Sequence, residues 1–223
     1  MKKKVSAIVL AAGSGKRMQS NTKKQFIELA GKPVLYYSLK AFEESLVDEV
    51  ILVTGGDDLT YCREEIVERY HLTKVSAIVE GGKERYHSVQ NGIQVAKGQR
   101  VLIHDGARPF VKVEKINQLA TMDDPAAILA VPVKDTVKIV DDDFNIVDSP
   151  KRSTMYAAQT PQMFDKDLIV SAYRCMGQED DITDDAMLVS RYTDTVVKVV
   201  QGDYTNLKIT TPEDLVIAAS FVR

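Results

Sequence analysis

Lys16, Arg17 and Lys24 follow closely on the small-residue run Ala11-Ala12-Gly13-Ser14-Gly15, which is itself entered from the apolar stretch Ser6 to Leu10. An apolar strand that ends in such residues lets backbone approach a ligand, because Gly13 and Gly15 can turn successive N–H groups toward phosphate oxygens. Arg17 adds a planar fork of donors, and Lys16 and Lys24 add compact charges. Together they suit a triphosphate whose terminal part leaves as pyrophosphate, the charge pattern of nucleotidyl transfer. Asp105, directly after a second apolar strand and beside His104, is placed to hold Mg²⁺ between itself and nucleotide phosphates. A turn cap or a pair with Arg108 is the plainer alternative. Gly81-Gly82 with Arg85 and Ser88 provides small residues for a planar base and a hydroxyl for its edge; a simple glycine turn with Ser88 facing solvent is the alternative there.

Two better known glycine loops do not fit. A Walker loop needs Ser or Thr after its Lys, and Lys16 is followed by Arg17; a dinucleotide loop needs Gly or Ala where Met18 stands. No Ser or Cys sits in a nucleophile motif, so direct displacement is expected over a covalent intermediate. His71 and His87 make no metal spacing with His104, which reads as a structural group at a strand end.

These groups require elements to carry them. Strand-length apolar runs alternate with helical periods: strands at Ala7–Leu10, Val50–Val53, Ala77–Val79 and Val101–Ile103, with helices at about Pro33–Ser45, Asp58–Tyr70 and Glu84–Ala96. That is an α/β pattern with a mostly parallel sheet flanked by helices, whose ligands bind beyond the carboxyl ends of the strands. From Ala126 the pattern becomes strand after strand: Ile128–Val133, Thr136–Val140, Phe144–Val147 and Met155–Ala158, with a turn at Asp141-Asp142-Asp143. This stretch reads as an arm with little core of its own, an excursion at about 134–156 from a single domain over 1–223. Its edges need covering, which points to a homodimer; a surface hairpin on a monomer is the plainer alternative. Helices at about Asp165–Cys175, Asp184–Arg191 and Pro212–Phe221 and a strand at Val196–Val200 return the chain to the sheet.

Composition sets the class. With 29 cationic and 32 acidic residues the formal charge is −3, so no overall positive field argues for nucleic acid. The apolar run behind the basic N-terminus is too short for a membrane span or signal peptide, so the expectation is a cytoplasmic protein with a small anionic ligand. Cys62 and Cys175 lie far apart in helical segments and form no redox or metal motif.

AAGSGKRM with KKQF, GGKERYHSV, HDGARP, PVKDTVK, QTPQMF, TDDAMLV and NLKITTPEDL, in this order over nearly the whole chain, resemble the 2-C-methyl-D-erythritol 4-phosphate cytidylyltransferase family of non-mevalonate isoprenoid synthesis. The resemblance implies a Rossmann-like domain with a β-arm that makes a homodimer, and transfer of CMP from CTP to a sugar-alcohol phosphate. It further implies that Ala11, Ala12, Gly13, Ser14 and Gly15 hold the triphosphate and that Gly81, Gly82, Ser88 and Gly106 surround cytosine and ribose. Arg17 and Lys24 would stabilise the transition state, Asp105 would ligate Mg²⁺, and Thr136, Arg152, Thr183 and Lys208 would grip the acceptor, Arg152 reaching over from a partner's arm. The chain departs from the family at Lys83, where many members carry Asp, at Gly106 for Ala and at Lys23 for Pro. Ribitol-5-phosphate cytidylyltransferase, with the same loops, is the nearest rival; a module that binds nucleotide without turnover is the rival of another class.

Overall fold

In the computed structural model, residues 3–13, 18, 22–177 and 181–222 are described. Strands β1 (Val5–Ala11), β4 (Glu49–Thr54), β5 (Val75–Glu80), β6 (Arg100–Asp105), β7 (Ala126–Pro132), β10 (Tyr156–Asp165) and β11 (Lys198–Gln201) form one seven-stranded sheet in the order β11-β7-β10-β6-β1-β4-β5. Every neighbouring pair is parallel except the two made by β10, which runs antiparallel to both β6 and β7. Two small hairpins stand apart, β2 (Glu28–Leu29) with β3 (Lys32–Pro33), and β8 (Ile139–Val140) with β9 (Ile146–Asp148).

The period-two alternation of β1 divides the core in two. Val5, Ala7, Val9 and Ala11 face α1 (Val34–Glu43), the helical stretch Leu59–Glu68 and α4 (Val113–Thr121), burying Leu39, Phe42, Ile66 and Leu119. Ile8 faces the opposite layer, where α3 (Arg85–Val95), α5 (Lys166–Cys175) and α6 (Asp185–Tyr192) bury Val89, Ile93, Ile169 and Leu188. The last helix, α7 (Pro212–Ala219), packs with β2 and β3 in a third, smaller cluster around Val34 and Ile209. This is the helix-flanked parallel architecture that the alternation of apolar runs predicts.

Register brings the candidate groups to one rim. Leu10 pairs with Asp105, Ala11 with Thr54, and Thr54 with Glu80, so four strands finish side by side. The chain steps outward from β1 to β4 and β5, then returns to place β6 on the other side of β1, which opens a crevice at the β1/β6 switch point.

The runs that flank the arm belong to the main sheet: Ile128–Pro132 lies in β7 and Tyr156–Ala158 in β10, which continues to Asp165. Of Thr136–Val140 only Ile139 and Val140 are strand. The excursion is therefore the span between Pro132 and Tyr156, closed by a turn in which Asp141 accepts from the Asp143 and Asn145 N–H groups. Helix α4 was absent from the sequence reading. Its apolar positions Ile116, Leu119 and Ala120 sit at helical spacing, but the segment is only nine residues long.

Gly92 decides how closely α3 lies on the sheet. A Cβ there would stand 2.5 Å from Ile8 Cγ2 and 3.1 Å from Val53 Cγ2, both in a close-packed layer. Gly92→Ala improves helix propensity, yet it should destabilise the protein by about 1–3 kcal/mol through overpacking. Urea unfolding that showed stabilisation instead would refute the close approach as the reason for glycine.

Candidate active site

A cavity of about 420 Å³ lies at the switch point, walled by Leu10, Ala11, Ala12 and Gly13 from the end of β1, by Lys24 and Gln25, by Gly82 to Arg85 and Ser88 from the start of α3, and by Asp105, Ala107 and Lys208. Eight of the sequence-derived residues, Ala11, Ala12, Gly13, Lys24, Gly82, Ser88, Asp105 and Lys208, thus share one wall system. Ser14, Gly15 and Arg17 lie outside the described residues.

Gly81 and Gly106 form the structure behind the wall. The Gly81 N–H donates to Thr54 O at 2.8 Å, and a Cβ on Gly81 would lie 2.4 Å from that of Ala12. Only glycine lets the β5 loop lean on the β1 loop this closely. The Gly106 N–H donates to Leu10 O at 2.8 Å, closing the cavity floor between β1 and β6. Ser88 is buried rather than solvent-facing. Its hydroxyl donates to Glu84 O at 3.3 Å and accepts from Gly82 N at 3.1 Å, so it ties the glycine turn to α3 and keeps one further acceptor position.

Gln25 is a site residue whose role sequence reasoning missed. Its buried amide donates to Ala11 O at 2.6 Å and to Gly13 O at 3.2 Å, fastening the turn that carries Lys24 to the end of β1. The signal lay in its position next to Lys24, but a Gln shows no partner until the fold supplies two carbonyls.

Asp105 is the electrostatic centre. It is buried, and its oxygens face Lys208 Nζ at 2.8 Å, Arg85 Nε at 3.5 Å and Arg108 Nε at 3.8 Å. Burial alone would raise its pKa, but Arg85, Lys208 and Arg108 outweigh burial and hold the carboxyl well below the usual carboxylate range. Arg85 in turn pairs with Asp185 at 2.8 Å, and Asp185 accepts from the Tyr173 hydroxyl at 2.6 Å. Asp184 caps α6 through the Met187 N–H, so the Asp184-Asp185 pair divides into a cap and a buried counter-ion. The described residues contain no cluster of three metal-ligating side chains.

The acceptor-binding set is only partly gathered. Thr183 lines a neighbouring cavity of about 360 Å³ that shares Glu84 and Arg85 with the first. Thr136 and Arg152 are exposed on the arm and absent from the walls of both cavities, Arg152 donating to Lys134 O at 3.3 Å.

Behind Asp105 a hydrogen-bond chain has a single consistent proton arrangement. The Asp105 N–H donates to Thr160 Oγ at 3.0 Å, the Thr160 hydroxyl to His104 Nδ1 at 3.0 Å, and His104 Nε2–H to Arg108 O at 3.2 Å. His104 is fully buried, and burial lowers its pKa to about 4 against the attraction of Asp105. It is a neutral structural group, as its strand-end position predicts. An unfolded His titrates near 6.5, so the unfolded chain binds this proton first, and stability should fall as pH drops from about 6.5 toward 4. The expected loss is roughly 2–3 kcal/mol between about pH 7.5 and 4.5. In urea unfolding at the two values, His104→Asn should show a smaller loss than the parent; an equal loss would sink the assignment.

Comparison with known proteins agrees with this geometry. The family model for 2-C-methyl-D-erythritol 4-phosphate cytidylyltransferase matches residues 5–223. The enzyme of that name from Lachnoclostridium phytofermentans is 49% identical over 99% of this chain and 97% of its own, and that from Caldanaerobacter subterraneus is 48% identical over 98% and 99%. The crystal structure of 4-diphosphocytidyl-2C-methyl-D-erythritol synthase from Anaerococcus prevotii superposes with a TM-score of 0.85 at 38% identity, over 99% of this chain and 96% of its own. With the match running from the first core strand to the last residue, the chain belongs to the 2-C-methyl-D-erythritol 4-phosphate cytidylyltransferase family.

Proposed function

We propose that the protein transfers CMP from CTP to 2-C-methyl-D-erythritol 4-phosphate, releasing pyrophosphate and forming 4-diphosphocytidyl-2-C-methyl-D-erythritol. The observation that carries this reading is a small-residue cradle and Lys24 facing, across one cavity, a buried carboxylate ringed by three cations. Family membership names the nucleotide and the acceptor.

The reaction is an in-line displacement. A phosphate oxygen of the acceptor, already anionic near neutral pH, bonds to the α-phosphorus while the bond to the bridging oxygen breaks and its electron pair leaves with pyrophosphate. No strong base is required, so catalysis rests on positioning and charge neutralisation. Backbone at Ala11–Gly13, continued by Ser14 and Gly15, receives the triphosphate. Lys24 and Arg17 take up the charge that grows on the leaving group. Gly81, Gly82 and Gly106 admit cytosine and ribose closely, and the remaining acceptor position of Ser88 matches the amino group of cytosine.

Asp105 is the carboxylate of the cavity that would hold Mg²⁺, but one carboxylate already facing three cations is no metal cage, so the ion would take most of its ligands from phosphates and water. Bound there, it would supply neutralisation of phosphate charge. Lys208 and Thr183 bind the acceptor from within the chain, and Thr136 and Arg152 act from a partner's arm. The arm exposes Ile139, Val140, Phe144, Ile146 and Val147, an apolar surface that supports a homodimer.

The direct test is pyrophosphate release from CTP and Mg²⁺ with methylerythritol 4-phosphate and ribitol 5-phosphate in parallel. Preference for the first is expected; preference for the second would transfer the protein to the ribitol reaction, and silence with both would leave a binding module. Lys24→Ala should lower kcat by about 10²-fold or more with little change in CTP affinity, since its charge matters most as pyrophosphate departs. Unchanged kcat with weakened CTP binding would refute that role. Mixing exchangeable Lys24→Ala and Arg152→Ala subunits should restore part of the activity that each homodimer lacks. No recovery would count against a site shared across subunits.

A further inference from the structure

Among the three cations around Asp105, one differs in kind. Lys208 is 37% exposed and sits on a flexible four-carbon stem, whereas the Arg108 side chain is 12% exposed and its Nη1 donates to Asn206 O at 2.8 Å. Arg85, although its side chain is 31% exposed, is fixed by its partner, because its Nη1 meets Asp185 at 2.8 Å and Asp185, 1% exposed, is held by the Tyr173 hydroxyl at 2.6 Å. The guanidinium therefore spans two carboxylates, one of them immovable, and keeps its Nε 3.5 Å from Asp105. Lys208 lines the cavity, where an anionic acceptor competes with Asp105 for its ammonium. Its departure would strip a buried carboxylate of its nearest counter-ion, and a carboxylate so left is costly unless other cations hold it.

We propose that Arg85, anchored by Asp185 and Tyr173, is a positioning residue that holds the Asp105 carboxylate in place and so releases Lys208 to the acceptor phosphate. Arg85 acts through Asp105 and Lys208 and has no contact with reacting atoms in this scheme. Arg108 alone does not suffice, since its Nε stands 3.8 Å away and its fork is committed to a backbone carbonyl. The role rests on the cytidylyl-transfer reading given above.

The test is a double-mutant cycle on the full-length protein, read by pyrophosphate release with CTP, Mg²⁺ and methylerythritol 4-phosphate. Arg85→Gln with Asp185→Asn removes both charges together, so no buried ion is orphaned. This variant should raise the KM for the alcohol phosphate by about 10-fold, because Asp105 then retains Lys208. In a Lys208→Met background the same pair of changes should alter that KM by less than about 2-fold, because the cation to be released is gone. Equal effects in both backgrounds would overturn the proposal, as would a lowered Tm with KM unchanged. Should the paired variant fail to fold, Tyr173→Phe loosens the anchor alone. It should raise the KM by about 2- to 3-fold with Lys208 present and leave it unchanged in Lys208→Met; no rise, or the same rise in both, refutes the role. Parent protein that releases no pyrophosphate with either alcohol phosphate would remove the underlying reading, whereas an active parent with additive effects removes only the role of Arg85.

Discussion

The rest of the site depends on one ionised carboxylate buried at the end of a central strand. Asp105 is 8% exposed, and a charge so far from water persists only where the protein provides replacement partners. Three cations do so, and each is drawn from a different place: Arg85 from the start of α3, Arg108 from the turn after β6, and Lys208 from the segment after β11. The carboxylate thus binds together three regions that are distant in sequence. Those regions form one part of the cavity wall, which the end of β1 and Lys24-Gln25 complete.

The fold turns this electrostatic demand into geometry. Equal register of β1, β4, β5 and β6 brings four chain ends to one rim, and the reversed strand β10 delivers Thr160 to the Asp105 N–H. The ladder between β10 and β6 runs only as far as Gln162 opposite Ile103, and a register shift separates Ala158 from Gln162 on the β7 side. There the backbone amide of Asp105 has a side-chain acceptor where a regular strand would offer a carbonyl. Asn206 closes the same corner, its side-chain amide donating to Thr160 O at 2.9 Å while its backbone carbonyl accepts from Arg108. A neutral His104 completes the chain. The chain from the Asp105 N–H through Thr160 and His104 to the Arg108 carbonyl is continuous, while Arg108 Nε and Asn206 Oδ1 beside it are buried without a hydrogen-bond partner among the described residues.

Division of labour among the cations follows from their fixed partners and their chemistry. The arginines are committed to fixed partners and serve as scaffold, whereas Lys208 keeps a flexible stem beside the cavity. A site for two polyanions needs both kinds, since fixed charge preorganises and movable charge responds to what arrives.

Much of this was legible in the chain because it rests on local chemistry. Alternating apolar runs place most strands and helices, and strand ends rich in Gly, Asp, Lys and Arg mark the ligand rim, so Ala11 to Gly13, Gly82, Ser88 and Asp105 were set on one rim without coordinates, and the family resemblance added Lys208. Seven ordered motifs narrowed the class to one family. What stayed hidden depends on partners far away in sequence. The amide of Gln25, the ion pair of Arg85 with Asp185 and the burial of Ser88 have no periodic signature, because each is defined by which distant group the fold sets opposite it. The place of the strands that flank the arm was hidden for the same reason: β7 and β10 look like hairpin strands in one dimension, and only pairing with β6 and β11 sets them in the main sheet. Sequence by itself determined the elements, the cradle and the family, since these follow from residue type and short spacing. Tertiary structure alone decided which charges meet Asp105, because Coulomb energy and desolvation depend on distance and burial in space, and neither is written in the order of residues.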